Sequence, residues 1–351
     1  MRRRLRLWAG GAFLALAAAF LAWAAALLLI RAPYKGYAGS SVRVEVPPGT
    51  ATRAILATLE EEGVVRDRHL AHAALRLLFR RRSLKAGEYR FEGPRSTEEV
   101  LRTLVEGRVV TYRVTIPEGL TAEETFDIVV REGLAAPDEL RELFGRPDLF
   151  DGVPPGAPSL EGFLGPDTYL FTRSQGARGI VSTLVGSFRR SLPEGFVERA
   201  RALDRTPLEA VTLASLVEKE TGVASERALV SAVYHNRLKA GMLLQCDPTT
   251  IYALRRKALW TGTLTRDGLA VDDPYNTYVR GGLPPGPIAS PGASSLEAAV
   301  APADVPFLYF VAVGDGSGEH RFAVSYEEHV VNVARFRRAR AAREAASGAP
   351  R

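Results

Sequence analysis

An uncharged apolar segment near the start of the chain constrains its fold more than any other feature. Residues 7–30 contain no charged side chain, and residues 1–6 include four arginines. About 20 apolar helical residues cross the ~30 Å hydrocarbon core of a bilayer, so the segment is long enough to span it. Arginines beside a membrane segment tend to remain in the cytoplasm. The sequence therefore predicts a single-pass cell-membrane protein with a transmembrane helix at 7–30, a cytoplasmic terminus at 1–6, and everything after Arg31 outside the cytoplasm.

A cleaved signal peptide is the alternative interpretation of the same segment. Ala22-Trp23-Ala24 resembles a small-x-small cleavage site, but Leu27-Leu-Leu-Ile30 continues the apolar run beyond it. The apolar cores of signal peptides are usually 7–15 residues long. The sequence therefore favours an uncleaved anchor.

The positive charge of the chain is concentrated at its two ends. The formal net charge is +6, but residues 1–31 carry five arginines and no acid, and residues 335–351 carry six arginines and one glutamate. Residues 32–334 are therefore mildly acidic, which does not suit a phosphate-binding surface, and we expect no nucleic-acid partner. The single cysteine, Cys246, excludes an intramolecular disulfide framework and a cysteine-rich zinc site.

A strand–turn–helix pattern occurs twice in the first half of the exported part. After a short linker at 31–41, residues 42–49 alternate like a strand, reach a Pro-x-Gly turn and continue into a helical pattern that stops at Gly63. Residues 112–119 repeat the pattern, and the second helix stops at Gly133. Two copies suggest a duplication, and a small α+β module precedes the second copy. A spacer and a glycan-binding module both fit this pattern.

The remainder of the chain is predicted to be mainly helical. Thr206-Pro207 provides an N-cap and a first-turn proline for a helix that runs to Thr221. Ser225 is expected to cap the next helix, which ends at Gly241. Residues 307–313 and 320–324 are β-rich, and the glycines between them predict a hairpin.

Several common catalytic classes are weakly supported. The five histidines form no His-Glu-x-x-His motif, and the chain contains no Gly-x-Ser-x-Gly elbow and no P-loop. The Gly-rich run 314–318 lies between two predicted strands and is typical of a turn. We therefore expect no metal and no cofactor.

Three loops rich in proline, glycine, tyrosine and amide side chains predict a groove for a neutral polar polymer such as a glycan. They are residues 244–252, 273–278 and 282–292. Aromatic rings lie against sugar rings, while amides and carboxylates hydrogen-bond hydroxyl groups. The candidate sugar-binding residues are Gln245, Asp247, Thr249, Tyr275 and Asn276 from these loops, with Glu161 from the aromatic stretch 159–171.

Three glutamates compete for the role of catalytic acid. Glu226 follows the predicted cap, where the positive end of the helix dipole favours the ionised form. Glu220 follows Leu213, Leu216 and Val217 at helical spacing and is expected to face the core. Glu218 lies above small residues that leave room for a sugar, and apolar surroundings there favour the protonated form that a general acid needs. Helix periodicity favours Glu218, although all three could be solvated helix charges.

Several long motifs in series resemble one known family. Leu213-Ala-Ser-Leu-Val-Glu-Lys-Glu-Thr-Gly222 is followed by Asn236-Arg-Leu238, Gly241-Met-Leu-Leu-Gln-Cys-Asp-Pro-Thr249, Tyr275-Asn-Thr-Tyr278 and Gly282-Leu-Pro-Pro-Gly286. Leu160-Glu-Gly-Phe163, Pro166-Asp-Thr-Tyr169 and Tyr309-Phe-Val-Ala312 extend the match. Over residues 42–335 the chain resembles the endolytic transglycosylases of the YceG-like family. Two departures are visible: Cys246 replaces the usual Ser or Thr, and Gly165 replaces a larger residue.

The resemblance implies an α+β fold in three parts. After the transmembrane helix come a LysM-like α+β module at 42–111, a mainly helical catalytic domain with a β-hairpin at 112–335, and a basic tail at 336–351. It also implies that the first glutamate of Val-Glu-Lys-Glu is catalytic, which is Glu218 here and agrees with the choice from helix periodicity. The substrate would be the glycan strands of peptidoglycan, and the resemblance implies a link to peptidoglycan synthases and to control of strand length.

A lytic transglycosylase needs one carboxyl group, because the C6 hydroxyl of the muramic acid replaces water as the nucleophile. Two alternatives remain open from the sequence. A hydrolase would need a second acid, such as Glu161 or Asp247, opposite Glu218. A non-catalytic scaffold of the wall-synthesis machinery would bind glycan without cutting it.

Overall fold

The computed structural model describes residues 2–80 and 82–347, with side chains described for 13–80 and 82–345. The fold is a helix-dominated mixture of α-helices and strands, and the strands of the described residues form three two-stranded sheets. The α+β prediction is confirmed at this level. The chain divides into a first unit, which comprises residues up to Tyr112 together with Leu170–Gly176, and a second unit, Arg113–Tyr169 with the residues from Ala177 onward.

Helix α1, Arg2–Arg31, contains the predicted membrane segment. Its portion Phe13–Arg31 is the one helix among the described residues that is long and apolar enough to cross a bilayer, and most of its side chains are exposed. Ile30 at its end is buried in the core of the first unit. Met1 and the side chains of residues 2–12, which include the predicted cytoplasmic arginines, lie outside the described part of the structure.

The first unit has a core of its own. Strand β1 (Ser41–Val46), helices α2 (Thr52–Glu61) and α3 (Arg68–Leu78), strand β2 (Gly87–Glu92) and helix α4 (Thr97–Glu106) follow one another along the chain. β1 pairs antiparallel with β2, so that Val44 lies opposite Tyr89, and both side chains are buried. The predicted linker 31–41 is not free, since Tyr34 forms a β-bridge with Arg95.

The second unit begins with β3 and contains nearly all of the remaining elements. They are β3 (Tyr112–Ile116), α5 (Ala122–Arg131), α6 (Pro137–Phe144), β4 (Asp167–Phe171), α7 (Gly176–Ser191), α8 (Phe196–Ala202), α9 (Pro207–Glu220), α10 (Arg227–Lys239), α11 (Asp247–Arg256), α12 (Arg266–Leu269), α13 (Ala293–Val300), β5 (Tyr309–Ala312), β6 (His320–Ala323) and α14 (Tyr326–Ser347). β3 pairs with β4, and β5 pairs antiparallel with β6 as the predicted hairpin. Residues 348–351 of the predicted basic tail lie outside the described residues.

The two predicted copies of the strand–turn–helix pattern have the same backbone. Gly49 and Gly119 have φ of +78° and +74°, and Gly63 and Gly133 have φ of +68° and +66°. These left-handed conformations favour glycine, which explains why all four positions carry it. The pattern was therefore predictable from turn chemistry.

Helix α9 lies at the centre of the second unit. Its N-terminus has a complete capping box, in which Thr206 Oγ1 accepts the Glu209 N–H at 3.2 Å and Glu209 accepts the Thr206 N–H at 2.8 Å. All eight residues from Ala210 to Val217 are buried, against α8, α10, α11 and α13. A helix enclosed in this way is rigid, and side chains at its exposed end have fixed positions.

The predicted cap at Ser225 is wrong. Ala224–Glu226 forms a short 3₁₀ turn, and α10 begins at Arg227 without a side-chain cap. Thr221 makes the local turn contact instead, because its Oγ1 accepts the Val223 N–H at 3.0 Å.

Candidate active site

Glu218 is the first residue in the last turn of α9 to leave the core. Ser215, one turn earlier, is completely buried, whereas Glu218 is partly exposed. The helix therefore presents the Glu218 carboxyl at the boundary between the core and the solvent. This placement agrees with the choice made from helix periodicity.

One oxygen of Glu218 is held by the beginning of α13. Glu218 Oε2 accepts the Gly292 N–H at 3.1 Å and the Ser295 hydroxyl at 2.6 Å. Among the described residues no hydrogen bond reaches Oε1, so this oxygen is free to meet a substrate.

The turn between β3 and α5 closes the other side of Glu218. A Cβ placed on Gly119 would lie 3.6 Å from Glu218 Cγ, and the Lys219 ammonium donates to the Gly119 carbonyl at 2.9 Å. Gly119 N–H donates to the Ser290 carbonyl at 2.9 Å, which ties this turn to the segment before α13. The site is thus assembled from segments about 75 to 100 residues apart.

A second carboxylate that the sequence analysis missed lies beside Gly292. A Cβ placed on Gly292 would lie 2.2–2.4 Å from the carboxyl atoms of Glu118. Glu118 occupies the middle of the Pro-x-Gly turn, where the first copy of the pattern has Pro48. This replacement of a rigid apolar residue by an acid was the available sequence signal.

Glu220 faces the interior, as the sequence analysis expected. Tyr234 OH donates to its Oε2 at 3.2 Å, and the Cys246 thiol lies 3.4 Å from the same oxygen. Burial raises the pKa of Glu220 and the pKa of Cys246. The cysteine that departs from the family pattern therefore belongs to a buried polar cluster behind the site.

Glu226 is fixed by the hairpin rather than by a helix dipole. Its carboxylate accepts the His320 N–H at 2.8 Å and lies 2.7 Å from His320 Nδ1. The residue is 8% exposed, and the Thr221 hydroxyl also donates to its carboxylate at 3.4 Å. Both carboxylate oxygens are occupied, which leaves Glu226 a structural role.

The predicted sugar-binding residues separate into an exposed and a buried group. Gln245 just before α11 and Asp247 at its first position are exposed, and Asp247 accepts a hydrogen bond from Tyr278 OH. Gln245 has φ of +51°, and its N–H donates to the Thr277 carbonyl at 3.1 Å. These two side chains are open to a ligand.

Thr249, Asn276 and Tyr275 form the buried group. Thr249 Oγ1 donates to the Cys246 carbonyl at 2.7 Å, and Asn276 Nδ2 donates to the Leu269 and Val271 carbonyls at 3.0 and 2.8 Å. The Tyr275 ring is covered by the Arg256 guanidinium, 4.5 Å from its centroid. The polar groups of Thr249 and Asn276 therefore bind to the protein itself and hold these two segments in place.

Glu161 lies in a different place from Glu218. It is 3% exposed, and its carboxylate accepts the Ala122 N–H at 2.9 Å and Tyr252 OH at 3.1 Å. Burial raises its pKa to about 7. It borders a cavity formed mainly by α5, α6 and α11, and Glu218 does not line that cavity.

The fold and the site together define a helix-dominated α+β protein with the Glu218 carboxyl at the exposed end of its central helix. Residues 44–335 match the model of the YceG-like family, and the chain belongs to that family. The resemblance found in the sequence motifs is thereby confirmed.

Two relatives of this chain are both named endolytic murein transglycosylase. The endolytic murein transglycosylase of Streptococcus pneumoniae serotype 2 (strain D39) is 30% identical over 341 residues, which cover 88% of this chain and 60% of the relative. The chain thus spans about 60% of the length of the pneumococcal relative. The endolytic murein transglycosylase of Bacillus subtilis (strain 168) is 26% identical, with 83% of each chain covered. A crystal structure of a yceG-like protein from Listeria monocytogenes matches with a TM-score of 0.53 and 28% identity, covering 84% of this chain and 99% of that one.

Proposed function

We propose that this chain is an endolytic lytic transglycosylase of peptidoglycan, with Glu218 as its only catalytic acid/base. The observation that carries the proposal is the Glu218 carboxyl, held through Oε2 and free at Oε1, at the end of the motif by which the chain resembles its family. The relatives named endolytic murein transglycosylase support the substrate class.

In the first half of the reaction, Glu218 acts as a general acid. The protonated carboxyl donates its proton to the oxygen that links C1 of N-acetylmuramic acid to N-acetylglucosamine. The C1–O bond breaks, and the N-acetylglucosamine part leaves with a free hydroxyl. A bound strand excludes water from the exposed side of the carboxyl, which favours the protonated form before the reaction.

In the second half, the Glu218 carboxylate acts as a general base. It accepts the proton of the C6 hydroxyl of the muramic acid, and O6 forms a bond to C1, which closes a 1,6-anhydro ring. The nucleophile is tethered to the reacting sugar, so its effective concentration is high. The hydrogen bonds from Gly292 and Ser295 are made to the ionised carboxylate and hold it in position between the two steps.

Gln245 and Asp247 are the side chains that we assign to sugar binding. Both are exposed, and an amide beside a carboxylate can bind sugar hydroxyls as donor and acceptor. We assign to the buried residues Thr249, Tyr275 and Asn276 the role of holding the segments 244–252 and 273–278 in position.

The remaining parts of the chain fit a membrane-attached enzyme. We assign α1 as an uncleaved anchor with its arginine-rich end in the cytoplasm, so that the second unit works outside the membrane. We assign the strand–helix–helix–strand part of the first unit as a LysM-like module, supported by its two antiparallel strands and separate core. A peptidoglycan synthase is the partner that termination of growing strands would require.

A hydrolase of the same bond is the second candidate, and Glu118 is the observation that favours it. Its carboxyl lies beside Gly292, whose N–H donates to Glu218. A hydrolase needs two carboxyl groups on opposite sides of the scissile bond, whereas Glu118 and Glu218 border the same glycine. The arrangement therefore favours the single-carboxyl mechanism.

Replacement of Glu218 by glutamine tests the proposal. Glu218→Gln keeps the shape of the side chain and can still accept from Gly292, but it cannot exchange a proton, so cleavage should fall by a factor on the order of 10³ or more. The measurement is release of soluble fragments from uncrosslinked glycan strands by the full-length protein in detergent. Glu198→Gln on α8 is the matched control, because Glu198 is exposed and remote from the site, and it should cut normally.

Near-normal cleavage by the Glu218→Gln variant would overturn the assignment of Glu218. Strands that bind to the wild-type protein but are never shortened would instead indicate a non-catalytic scaffold. Strand retention by Glu218→Gln, measured by co-sedimentation, separates loss of chemistry from loss of binding.

A further inference from the structure

The second unit contains a cavity that is separate from the Glu218 site. Its volume is about 770 Å³, which is within the range of small-ligand sites. It is bordered by α5, the ends of α6, and the segment from α11 to Trp260. Its apolar lining is largely aromatic and includes Phe126, Phe144, Tyr252 and Trp260.

The charges around this cavity do not balance. Three arginines line it, and each has an acidic partner: Arg255 pairs with Glu124 at 3.0 Å, Arg256 with Asp273 at 3.5 Å, and Arg141 with Asp138. Glu123 and Asp127 also line it, and among the described residues neither has an ion-pair partner. The charge on the cavity lining that no ion pair neutralises is therefore negative.

Glu123 and Asp127 are placed to act together on one ligand. They are four residues apart on α5, so they are neighbours on one face of the helix, and both are exposed. Like charges at this spacing repel each other, and a cation between them relieves the repulsion. An ammonium group attached to a partly apolar chain would match two carboxylates beside an aromatic lining.

One short segment joins this cavity to Glu218. Gly119 lies against the Glu218 side chain, and Ala122 N–H donates to Glu161 in the cavity wall at 2.9 Å. Three residue steps separate Gly119 from Ala122, so their Cα atoms are at most about 11 Å apart. A ligand that extends from a sugar at Glu218 needs only a few residues to reach the cavity.

We propose that this cavity binds the stem peptide of the strand being cut, with a free amino group of the stem against Glu123 and Asp127. The inference rests on the proposed function, since it is the muramic acid at the scissile bond that carries the stem on its lactyl group. An extended stem of five residues spans about 17 Å, which is enough to reach from Glu218 into the cavity. An uncrosslinked stem has a free amine on its diamino acid, and a crosslink converts that amine into an uncharged amide.

Peptide binding by the full-length protein tests the cavity directly. Trp260 lines the cavity, and the other two tryptophans, Trp8 and Trp23, lie in α1, so fluorescence can report on occupancy of the cavity. A soluble stem tetrapeptide with a free side-chain amine should change the fluorescence saturably, and Trp260→Phe should abolish the change. The same peptide with that amine acetylated should bind about three- to tenfold more weakly, the range expected for partly exposed ion pairs.

A double variant tests whether Glu123 and Asp127 bind the amine of the peptide. Glu123→Gln with Asp127→Asn removes both free acids and should weaken the free-amine peptide to the level of the acetylated one. The control pair Glu132→Gln with Glu142→Gln removes two exposed acids next to the same helices but outside the cavity lining, and should bind normally. Binding of both peptides with equal affinity, or an unchanged affinity in the double variant, would overturn the proposal.

Cleavage assays separate this inference from the proposed function. On strands with free-amine stems the double variant should lose about three- to tenfold in kcat/KM, while on strands stripped of stems by an amidase it should equal the wild type. Equal rates of the two proteins on both substrates would overturn the stem site and leave the transglycosylase intact. Amine-dependent peptide binding by a wild-type protein that cuts neither strand would support the cavity and contradict the proposed function.

Discussion

Individual carboxyl groups in this protein have different roles because their surroundings differ. Glu220 is enclosed beside Tyr234 and Cys246, Glu226 is fixed by His320, and Glu218 keeps one oxygen free. Helix periodicity predicted which face Glu218 would occupy, because the spacing of large and small residues along α9 is a local property. It could not predict Glu118, whose position beside Gly292 depends on contacts between distant segments.

The same dependence on contacts between distant segments explains why the sequence did not predict that some of the candidate sugar-binding residues are buried. Thr249 and Asn276 belong to polar segments that the sequence predicted as loops, where residue type does not distinguish an inward from an outward side chain. In the structure Thr249 lies in α11. The structure shows that their polar groups bind the backbone and each other's loop, at distances of 2.7 to 3.0 Å. Only the three-dimensional packing of the two loops decides which of these residues can meet a ligand.

Glu161 provides a prediction at the residue scale. Burial raises its pKa to about 7, so between pH 4.5 and about 7 the folded protein binds more protons at this site than the unfolded chain. The contribution of this group to the free energy of unfolding is therefore full below pH 4.5 and falls as the pH rises toward 7. Glu161→Gln should be as stable as the wild type at pH 4.5 and more stable at pH 8, by about 3 kcal/mol at most.

Chemical denaturation at pH 4.5 and pH 8 measures this difference. The stability of Glu161→Gln relative to the wild type should increase between the two values. A constant difference would mean that the wild-type carboxyl ionises in the folded protein as easily as in the unfolded chain. Glu132→Gln, an exposed replacement of the same kind, controls for the change of net charge.

At the scale of elements, turn and cap chemistry was predictable where it is local. The N-cap and first-turn proline of α9 and the glycine exits of α2 and α5 are present as the sequence indicated. The predicted cap at Ser225 failed because Glu226 is turned toward β6, which is 94 residues further along the chain. Elements whose ends depend on such long-range contacts are not specified by their own residues.

Gly292 provides a prediction for the junction between the β3–α5 turn and α13. Its φ of −76° suits any residue, but an added Cβ would lie 2.2 Å from the end of the Glu118 side chain. Because that side chain is flexible and exposed, Gly292→Ala should displace the Glu118 carboxyl without unfolding the protein. We attribute positioning of the bound strand to the Glu118 carboxyl beside Gly292, so its displacement should reduce cleavage on the order of tenfold.

A double-mutant cycle on glycan cleavage tests whether Gly292→Ala acts by displacing Glu118. Gly292→Ala should reduce the rate in the wild-type background and have little further effect when Glu118→Gln is already present. Equal losses in both backgrounds would show that the added methyl group disturbs Glu218 directly. Thermal unfolding of each variant should stay close to that of the wild type.

At the scale of the whole molecule, the sequence predicted the order of parts better than their contacts. The apolar helix, the small α+β module and the mainly helical remainder follow one another as expected, and the division between the two units passes close to residue 112. The sequence could not reveal that the 31–41 segment bonds to the first unit or that α5, α6 and α11 border a large cavity. Both features arise from side chains that meet only in the folded chain.

Whether solvent oxygen enters the cleavage product tests the single-carboxyl mechanism at Glu218 most directly. The full-length protein is incubated with uncrosslinked glycan strands in water enriched in oxygen-18, and the new ends are analysed by mass spectrometry. A single-carboxyl mechanism predicts 1,6-anhydro ends that are one water lighter than reducing ends and contain no oxygen-18 from the solvent. Reducing ends that carry solvent oxygen-18 would contradict it and would assign the protein to the hydrolases.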